Sequence, residues 1–322
     1  MRKPGTVRIG LSGWTYKPWR GVFYPKDLPQ KRELSYAAQR FNSIEINGTF
    51  YGLQRPESYA RWRQETPEDF VFALKGSRFI THRLKLKEVE TPLANFFASG
   101  PLRLGPKLGP ILWQFPPMTK FDPDLFRAFL DLLPRNTGEA AKLARRHDAR
   151  LDDRSWLDSD IEQPVRHAFE IRNESFCTPA FVELLREFGA GLVCADTVEW
   201  PLLFDLTADF VYCRLHGSEE LYVSGYDDDA LDIWAERIAT WATGSDPADG
   251  RHVMPPSKHS AKGRDVYVYF DNDVKVRAPA DAAGLIERVN ARLKVSGSRS
   301  PSFHDSPTRD APLRRRATGS GH

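Results

Sequence analysis

The chain has 322 residues, 41% of them hydrophobic and 28% charged, a soluble globular composition long enough to bury a large core. No apolar run approaches the roughly 20 residues of a membrane span, and the N-terminal Met-Arg-Lys-Pro-Gly leads straight into a strand-like run without a secretory apolar stretch. The net charge of +3 belongs to residues 295–322, five arginines against Asp305 and Asp310. The remaining 41 basic and 41 acidic residues give no support for general polyanion binding, though a local basic patch stays open.

In chain order, the first β-rich run is 7–13 (VRIGLSG), followed by an aromatic loop with Trp14, Tyr16, Trp19, Phe23 and Tyr24. The second is 43–48 (SIEING), ahead of Phe50 and Tyr51; the third is 71–76 (VFALKG), ahead of Thr81-His82. The fourth, 109–115 (GPILWQF), precedes a helix whose start is marked by Asp122-Pro123, a capping side chain before a first-turn proline. A charged insertion, 134–164, follows, with a helix expected from Ala141 to Arg150. The fifth run is 167–172 (HAFEIR); Thr178-Pro179 then starts a helix with Phe181, Leu184, Leu185 and Phe188 on one stripe. The sixth is 191–196 (GLVCAD) and the seventh 210–217 (FVYCRLHG), after which come Tyr222, Tyr226 and a helix striped by Leu231, Trp234, Ile238 and Trp241. Residues 244–264 read as a flexible surface loop before the eighth run, 265–272 (DVYVYFDN). Beyond about residue 295 the Ser/Pro/Arg-rich chain cannot bury a core and is expected to be disordered.

Eight strands mostly alternating with helices imply parallel pairing and closure, an α/β fold with a single (β/α)8 TIM-type barrel over 1–294. An open doubly wound sheet competes, but no GxGxxG turn follows any strand. The three cysteines, Cys177, Cys194 and Cys213, are odd in number and lack CxxC spacing, which points to reduced thiols in a cytoplasmic protein.

Side chains alternate along a strand, so each run offers two faces. Ile44 and Ile46 oppose Glu45 and Asn47; Phe169 and Ile171 oppose Glu170 and Arg172; Val211, Cys213 and Leu215 oppose Tyr212, Arg214 and His216. The apolar face must meet the helices, which leaves the polar face for the barrel interior. The predicted top layer is Glu45, Lys75, Gln114, Glu170, Arg172, Asp196, Arg214, His216 and Asp271, all near C-terminal strand ends, where barrel enzymes carry their sites. Burying charges costs several kcal/mol each unless they are paired. The layer is therefore either a self-satisfied ionic plug or a site for a ligand, and the ring of aromatics favours an organic one. His167, at the opposite end of its strand, is expected to be structural.

The ordered motifs SGWTYKPWRGVFYP, IEINGTFY, FALKGS with ITH, LWQFPP, FEIRNESF, YCRLHG and YVYFDND resemble the family catalogued as domain of unknown function 72, also called YecE-like, from about residue 7 to 293. The resemblance implies a TIM-type barrel but no activity. Matched positions are Trp14, Glu45, Tyr51, Lys75, His82, Gln114, Glu170, Arg172, Asp196, Arg214, His216 and Asn272. Two departures stand out: Asn173 where relatives often have histidine, and Asp271 where asparagine is usual.

Three functions remain open. One is an enzyme using Glu45 and Glu170 as base and acid with His216, while Arg172 and Arg214 clamp a phosphorylated or sugar-like anion. In it Gln114, Asn272, Trp14, Tyr51 and His82 contact the ligand, and Lys75 is a Schiff-base nucleophile or, more commonly, a charge partner. A second is a divalent metal, Mn²⁺ or Mg²⁺, on Glu170, Asp196, His216 and Asp271, similar in strand order to xylose-isomerase-like isomerases and endonucleases. Arg172 and Arg214 oppose it. The third is a nucleic-acid-binding module using the aromatic rim and the Arg314-Arg315-Arg316 tail.

Overall fold

The computed structural model describes residues 4–217, 224–256, 262–272 and 276–294; Tyr222 and the tail at 295–322 lie outside them. All eight runs are strands: β1 (Val7–Ser12), β2 (Ser43–Ile46), β3 (Val71–Lys75), β4 (Leu108–Gln114), β5 (His167–Glu170), β6 (Gly191–Asp196), β7 (Phe210–Leu215) and β8 (Asp265–Phe270). They pair in parallel, in sequence order, and β8 closes on β1. The helices are α1 (Glu33–Ala38), α2 (Gly48–Tyr51), α3 (Pro56–Gln64), α4 (Glu90–Ala98), α5 (Pro123–Leu132), α6 (Thr137–Ala144), α7 (Pro179–Phe188), α8 (Asp228–Ala242) and α9 (Arg277–Lys294). None of them is long and apolar enough to cross a membrane.

Both anticipated caps form: Asp122 accepts from the Leu125 amide and Thr178 from the Phe181 amide. In the insertion, however, the helix runs over Thr137–Ala144 instead of from Ala141 to Arg150. The Asn136 side chain accepts from the Glu139 amide at 2.8 Å and starts the helix early. No helix joins β6 to β7. In its place Leu203 and Phe204 of the extended connection are buried, and the Phe204 ring lies 5.3 Å from that of Trp241 on α8. Residues 244–256 are tied to this connection, because Asp205 accepts from the amides of Val253 and Met254 at 2.8 and 2.9 Å.

The alternation sorts two cores. Ile44, Ile46, Leu74, Trp113, Phe169, Leu192, Cys213, Leu215 and Phe270 face the helices. Inside the barrel lie Val71, Ala73, Leu112, Ala168, Val193, Ala195, Phe210, Tyr212, Tyr267 and Tyr269. Small residues on β3, β5 and β6 make room for the large rings of β7 and β8. A Cβ on Gly191 would sit 2.9 Å from the Phe210 ring, so that glycine is part of the packing. This apolar floor sets the polar layer at the C-terminal end.

At the N-terminal end, His167 places Nε2 2.8 Å from the Pro134 carbonyl and receives the Trp113 indole N–H on Nδ1 at 3.1 Å. Burial pushes it down to about 4, so it is a neutral structural side chain, as anticipated. The three cysteines are free thiols, with Cys194 and Cys213 buried.

Candidate functional site

Arg214, fully buried on β7, is the hub of the polar layer. Its Nη1 donates to Glu170 Oε2 at 2.6 Å; its Nη2 lies 2.6 Å from Asp271 Oδ2, 3.0 Å from Glu45 Oε1 and 3.3 Å from Ser12 Oγ. Glu45 also accepts from Ser12 Oγ at 2.7 Å and Tyr212 Oη at 2.6 Å. Glu170 gives its other oxygen to Arg172, at 2.8 Å from Nε and 2.6 Å from Nη2. Arg172 in turn lies 3.7 Å over the ring of Trp200, which meets His216 edge-on. His216 places Nδ1 3.3 Å from Asp271 and Nε2 3.5 Å from Arg214 Nη1, an arrangement suited to the Nδ1–H tautomer.

This geometry revises the proposed acid and base. Both oxygens of Glu45 and of Glu170 are already filled by protein donors. Burial alone would raise the Glu170 carboxyl, but Arg214 and Arg172 hold it well below the usual carboxylate range. Burial likewise opposes Arg214 and His216 at Asp271, and the pairing wins there too, keeping that carboxyl low. These carboxylates are counterions of two guanidiniums, poorly placed to exchange protons with a ligand.

Two expected site residues, Asp196 of the layer and the ligand candidate Asn272, face outward. On β6, Val193 and Ala195 point into the barrel, so Asp196 points to α8 and accepts from Tyr226 Oη at 2.9 Å and Trp234 Nε1 at 3.0 Å. The polar end of GLVCAD is one residue out of phase with the other strands. Asn272 shares the outward phase of Val268 and Phe270 and donates to Asp281 at 2.8 Å and the Ser224 carbonyl at 3.1 Å. With Asp196 turned away and Arg214 at the centre, Glu170, Asp196, His216 and Asp271 do not converge. Among the described residues no three His, Cys, Asp or Glu are placed to hold a metal ion. The residues present do not fit the divalent-metal reading.

The other half of the mouth is built differently. The strand ends of β2, β3 and β4 present Asn47, Lys75 and Gln114, and none of the three side chains hydrogen-bonds to the described residues. Gln114 is 6% exposed and its Oε1 is buried without a partner, as is Asn47 Oδ1. Lys75 is 8% exposed and has no ion pair among the described residues. Its Nζ lies 4.6 Å over the Phe50 ring. The single turn α2 sets that ring: Thr49 Oγ1 donates to the carbonyls of Ile46 and Lys75, locking α2 onto β3. Burial first, then the nearby Arg214, brings Lys75 down to about 8.

His82 approaches from the loop after β3, its ring 5.1 Å from Phe50 and its Nδ1 2.8 Å from Thr81 Oγ1. Burial, followed by Arg172, Lys75 and Arg78, lowers it below the ordinary histidine value. His82 sits in a π-turn, Phe79–Arg83, and Lys85, Leu86 and Glu88 just beyond have positive φ. Such turns and such strain in non-glycine residues cluster at functional sites. Of the remaining ligand candidates, Tyr51 is 66% exposed beneath Arg78, whereas Trp14 packs edge-on against Trp62 behind the rim. Trp200 was missed in the sequence; an aromatic in a strand connection without a helical pattern was the available signal. Two cavities, of about 630 and 170 Å³, lie at the opposite, N-terminal end of the barrel.

The loops on this side of the mouth are basic. Residues 13–32, 47–55 and 76–89 together carry ten Lys and Arg against Asp27 and Glu88, and all ten are exposed. The neutral body therefore conceals a strong local asymmetry.

A family model described as protein of unknown function DUF72 matches residues 8–305. The chain belongs to the DUF72 family. Among curated relatives, the UPF0759 protein YecE of Escherichia coli O157:H7 is 30% identical over 242 residues, 73% of this chain and 82% of that one. YunF of Bacillus subtilis is 29% identical over 116 residues, 34% of this chain and 40% of its own. Solved DUF72 structures share the fold: TM1631 of Thermotoga maritima has a TM-score of 0.63 at 23% identity, covering 88% of this chain and 99% of its own. A DUF72 protein of Enterococcus faecalis scores 0.61 at 18% identity, covering 88% and 96%. Of the two departures from the DUF72 pattern, Asn173 caps the turn at Glu174–Phe176 and Asp271 supplies the third carboxylate around Arg214.

Proposed function

We propose that this DUF72 protein is an enzyme acting on a small phosphorylated or sugar-like anion, bound in the β2–β4 half of the mouth. The observation that carries this reading is the split of the polar layer. One half is a saturated network around Arg214; the other presents the side chains of Lys75 and Gln114 at the ends of β3 and β4 and of Asn47 just past β2, without hydrogen-bonding partners among the described residues. A buried polar group left unpaired costs about 1–3 kcal/mol, so the Asn47 and Gln114 oxygens beside an unpaired Lys75 favour a ligand that completes them. Amide oxygens suit ligand hydroxyls, while Lys75, Arg172 and Arg78 suit its negative charge. The basic loops raise the local concentration of anions before they bind. Proton exchange falls to Lys75, brought down to about 8, and to His82, which burial and neighbouring cations keep neutral and able to accept a proton.

The test is thermal unfolding with a panel of sugar phosphates, their neutral sugars and inorganic phosphate. A ligand at a hundred times its Kd adds about 2.7 kcal/mol, or roughly 4 °C for a chain of this size. Gln114→Leu and Lys75→Met should each remove the shift. If no phosphorylated compound moves the transition, the reading is wrong.

The exposed basic loops, with Tyr51 and Phe79 among them, also favour a second reading, a single-stranded nucleic-acid surface. Salt-sensitive retention on single-stranded DNA by a chain ending at residue 294, lost in Lys85→Glu/Lys87→Glu, is its expected signature.

A further inference from the structure

We propose that Lys75 forms an imine with the carbonyl carbon of the bound molecule, which makes the substrate class a phosphorylated aldehyde or ketone. The inference rests on the reading above, in that the ligand is held in the mouth, and adds to it a covalent step.

The contrast with the other buried cations is what singles Lys75 out. Arg214 touches three carboxylates and Arg172 folds onto Glu170. Lys107, 6% exposed, shows what a structural lysine looks like in this fold: its Nζ donates to the Arg63 carbonyl at 2.6 Å, the Thr66 carbonyl at 2.7 Å and Thr66 Oγ1 at 3.1 Å. Lys75 is as deeply placed, yet among the described residues it makes no hydrogen bond or ion pair and its Nζ lies over the Phe50 face. A charge partner would have been drawn to Glu45, Glu170 or Asp271. Both oxygens of Glu45 and of Glu170, and Oδ2 of Asp271, are spoken for by Arg214, Arg172, Tyr212, Ser12 and His216.

An amine in this position is a nucleophile. With its ammonium brought down to about 8, about a tenth of Lys75 is free base at pH 7, against a few parts in ten thousand for an ordinary lysine. The free amine attacks the carbonyl carbon, a C–N bond forms, and the carbonyl oxygen becomes a hydroxyl by taking a proton from that nitrogen. The C–O bond then breaks and the oxygen departs as water with a second proton from the same nitrogen; protonation from solvent leaves an iminium. Charge favours this end state. With Lys75 neutral, Glu45, Glu170 and Asp271 face only the two guanidiniums, and the iminium restores the third cation. Gln114 at the end of β4 and Asn47 just past the end of β2 flank Lys75, where they can take hydroxyls of the bound molecule. His82, on the same Phe50 ring, is placed beside the reacting atoms.

The experiment uses the full chain with glyceraldehyde 3-phosphate and sodium cyanoborohydride, read by peptide mass mapping, with thermal unfolding run in parallel. At pH 7 Lys75 should be alkylated roughly 300-fold faster than the exposed Lys85 and Lys87, as expected from their different free-amine fractions. Its rate should rise with a midpoint near pH 8, and inorganic phosphate should slow it. Lys75→Arg and, as a second variant, Lys75→Met should lose that adduct while the exposed lysines label as before. If the phosphorylated aldehyde raises the unfolding temperature but Lys75 labels no faster than Lys85, the imine is refuted and the binding reading survives. If unphosphorylated glycolaldehyde labels Lys75 rapidly while no phosphorylated compound stabilises the protein, the amine chemistry stands and the anionic substrate is overturned.

Discussion

Replacing Arg214 with methionine would empty the hub while nearly conserving the volume of its side chain. Arg214 bridges Glu45, Glu170 and Asp271, with contacts of 2.6 to 3.0 Å to each. Removing one partner of a buried ion pair costs about 3–5 kcal/mol because the remaining charge is stranded. At roughly 1.6 °C per kcal/mol for a chain of this length, the variant should melt about 5–8 °C lower at pH 7. The pH dependence carries the sharper test. In the native protein the Glu170 and Asp271 carboxyls lie below their unfolded values, so their contribution is present above about pH 4 and is lost only as pH falls through the depressed folded values. Without Arg214, burial and mutual repulsion would raise them above the unfolded values. The variant would then bind protons on folding and gain stability as pH drops from 7 toward 5. Paired urea titrations at pH 7 and pH 5 measure both effects. A variant as stable as the native chain at pH 7, or one whose deficit fails to narrow at pH 5, would refute the hub.

Asp196→Ala should cost about 2–3 kcal/mol by stranding the Tyr226 hydroxyl and Trp234 indole N–H. Ligand affinity by calorimetry should stay within about twofold, since that carboxylate faces α8 and not the mouth. His167 is neutral when folded, with its value down at about 4, so its contribution is complete above about pH 6.5 and lost as pH falls toward 4, by roughly 3 kcal/mol. His167→Phe should flatten that acid limb in a pH series of melts. Tyr212→Phe deletes the 2.6 Å donor to Glu45 and should lower stability by about 1–3 kcal/mol in urea titration.

The barrel was legible because eight β-rich runs separated by helical stripes have few other ways to close. Strand phase was equally plain wherever apolar and polar residues alternate, as in β2, β5 and β7. It failed at β6, where Gly191-Leu192-Val193-Cys194-Ala195 contains no polar residue to reveal the inward face, and the lone terminal aspartate suggested the wrong one. At β8 the phase held, with Asp271 inward; the ligand role of Asn272 came from the matched motif and not from the alternation, which already turned that residue outward. What no periodicity can show is which charges satisfy one another. Glu45, Glu170 and Lys75 look alike in sequence, as charged residues on inward faces. Only the placement of Arg214 makes two of them saturated counterions and leaves the third exceptional. The basic loops were hidden by averaging, since the acidic residues that cancel them lie elsewhere.

The missing helix between β6 and β7 has a bearing on evolution within this fold. A helix would have fixed that wall by its packing stripe, and a change in its length would have disturbed the whole outer ring. Here the wall beside the mouth is a strap whose buried anchors, Leu203 and Phe204, sit several residues downstream of an accessible Val198-Glu199-Trp200 segment. Its Trp200 ring is the part of the wall that lies over Arg172 and edge-on to His216. A substitution of Trp200 would therefore alter what is admitted beside Arg172 while the buried anchors below it keep their packing.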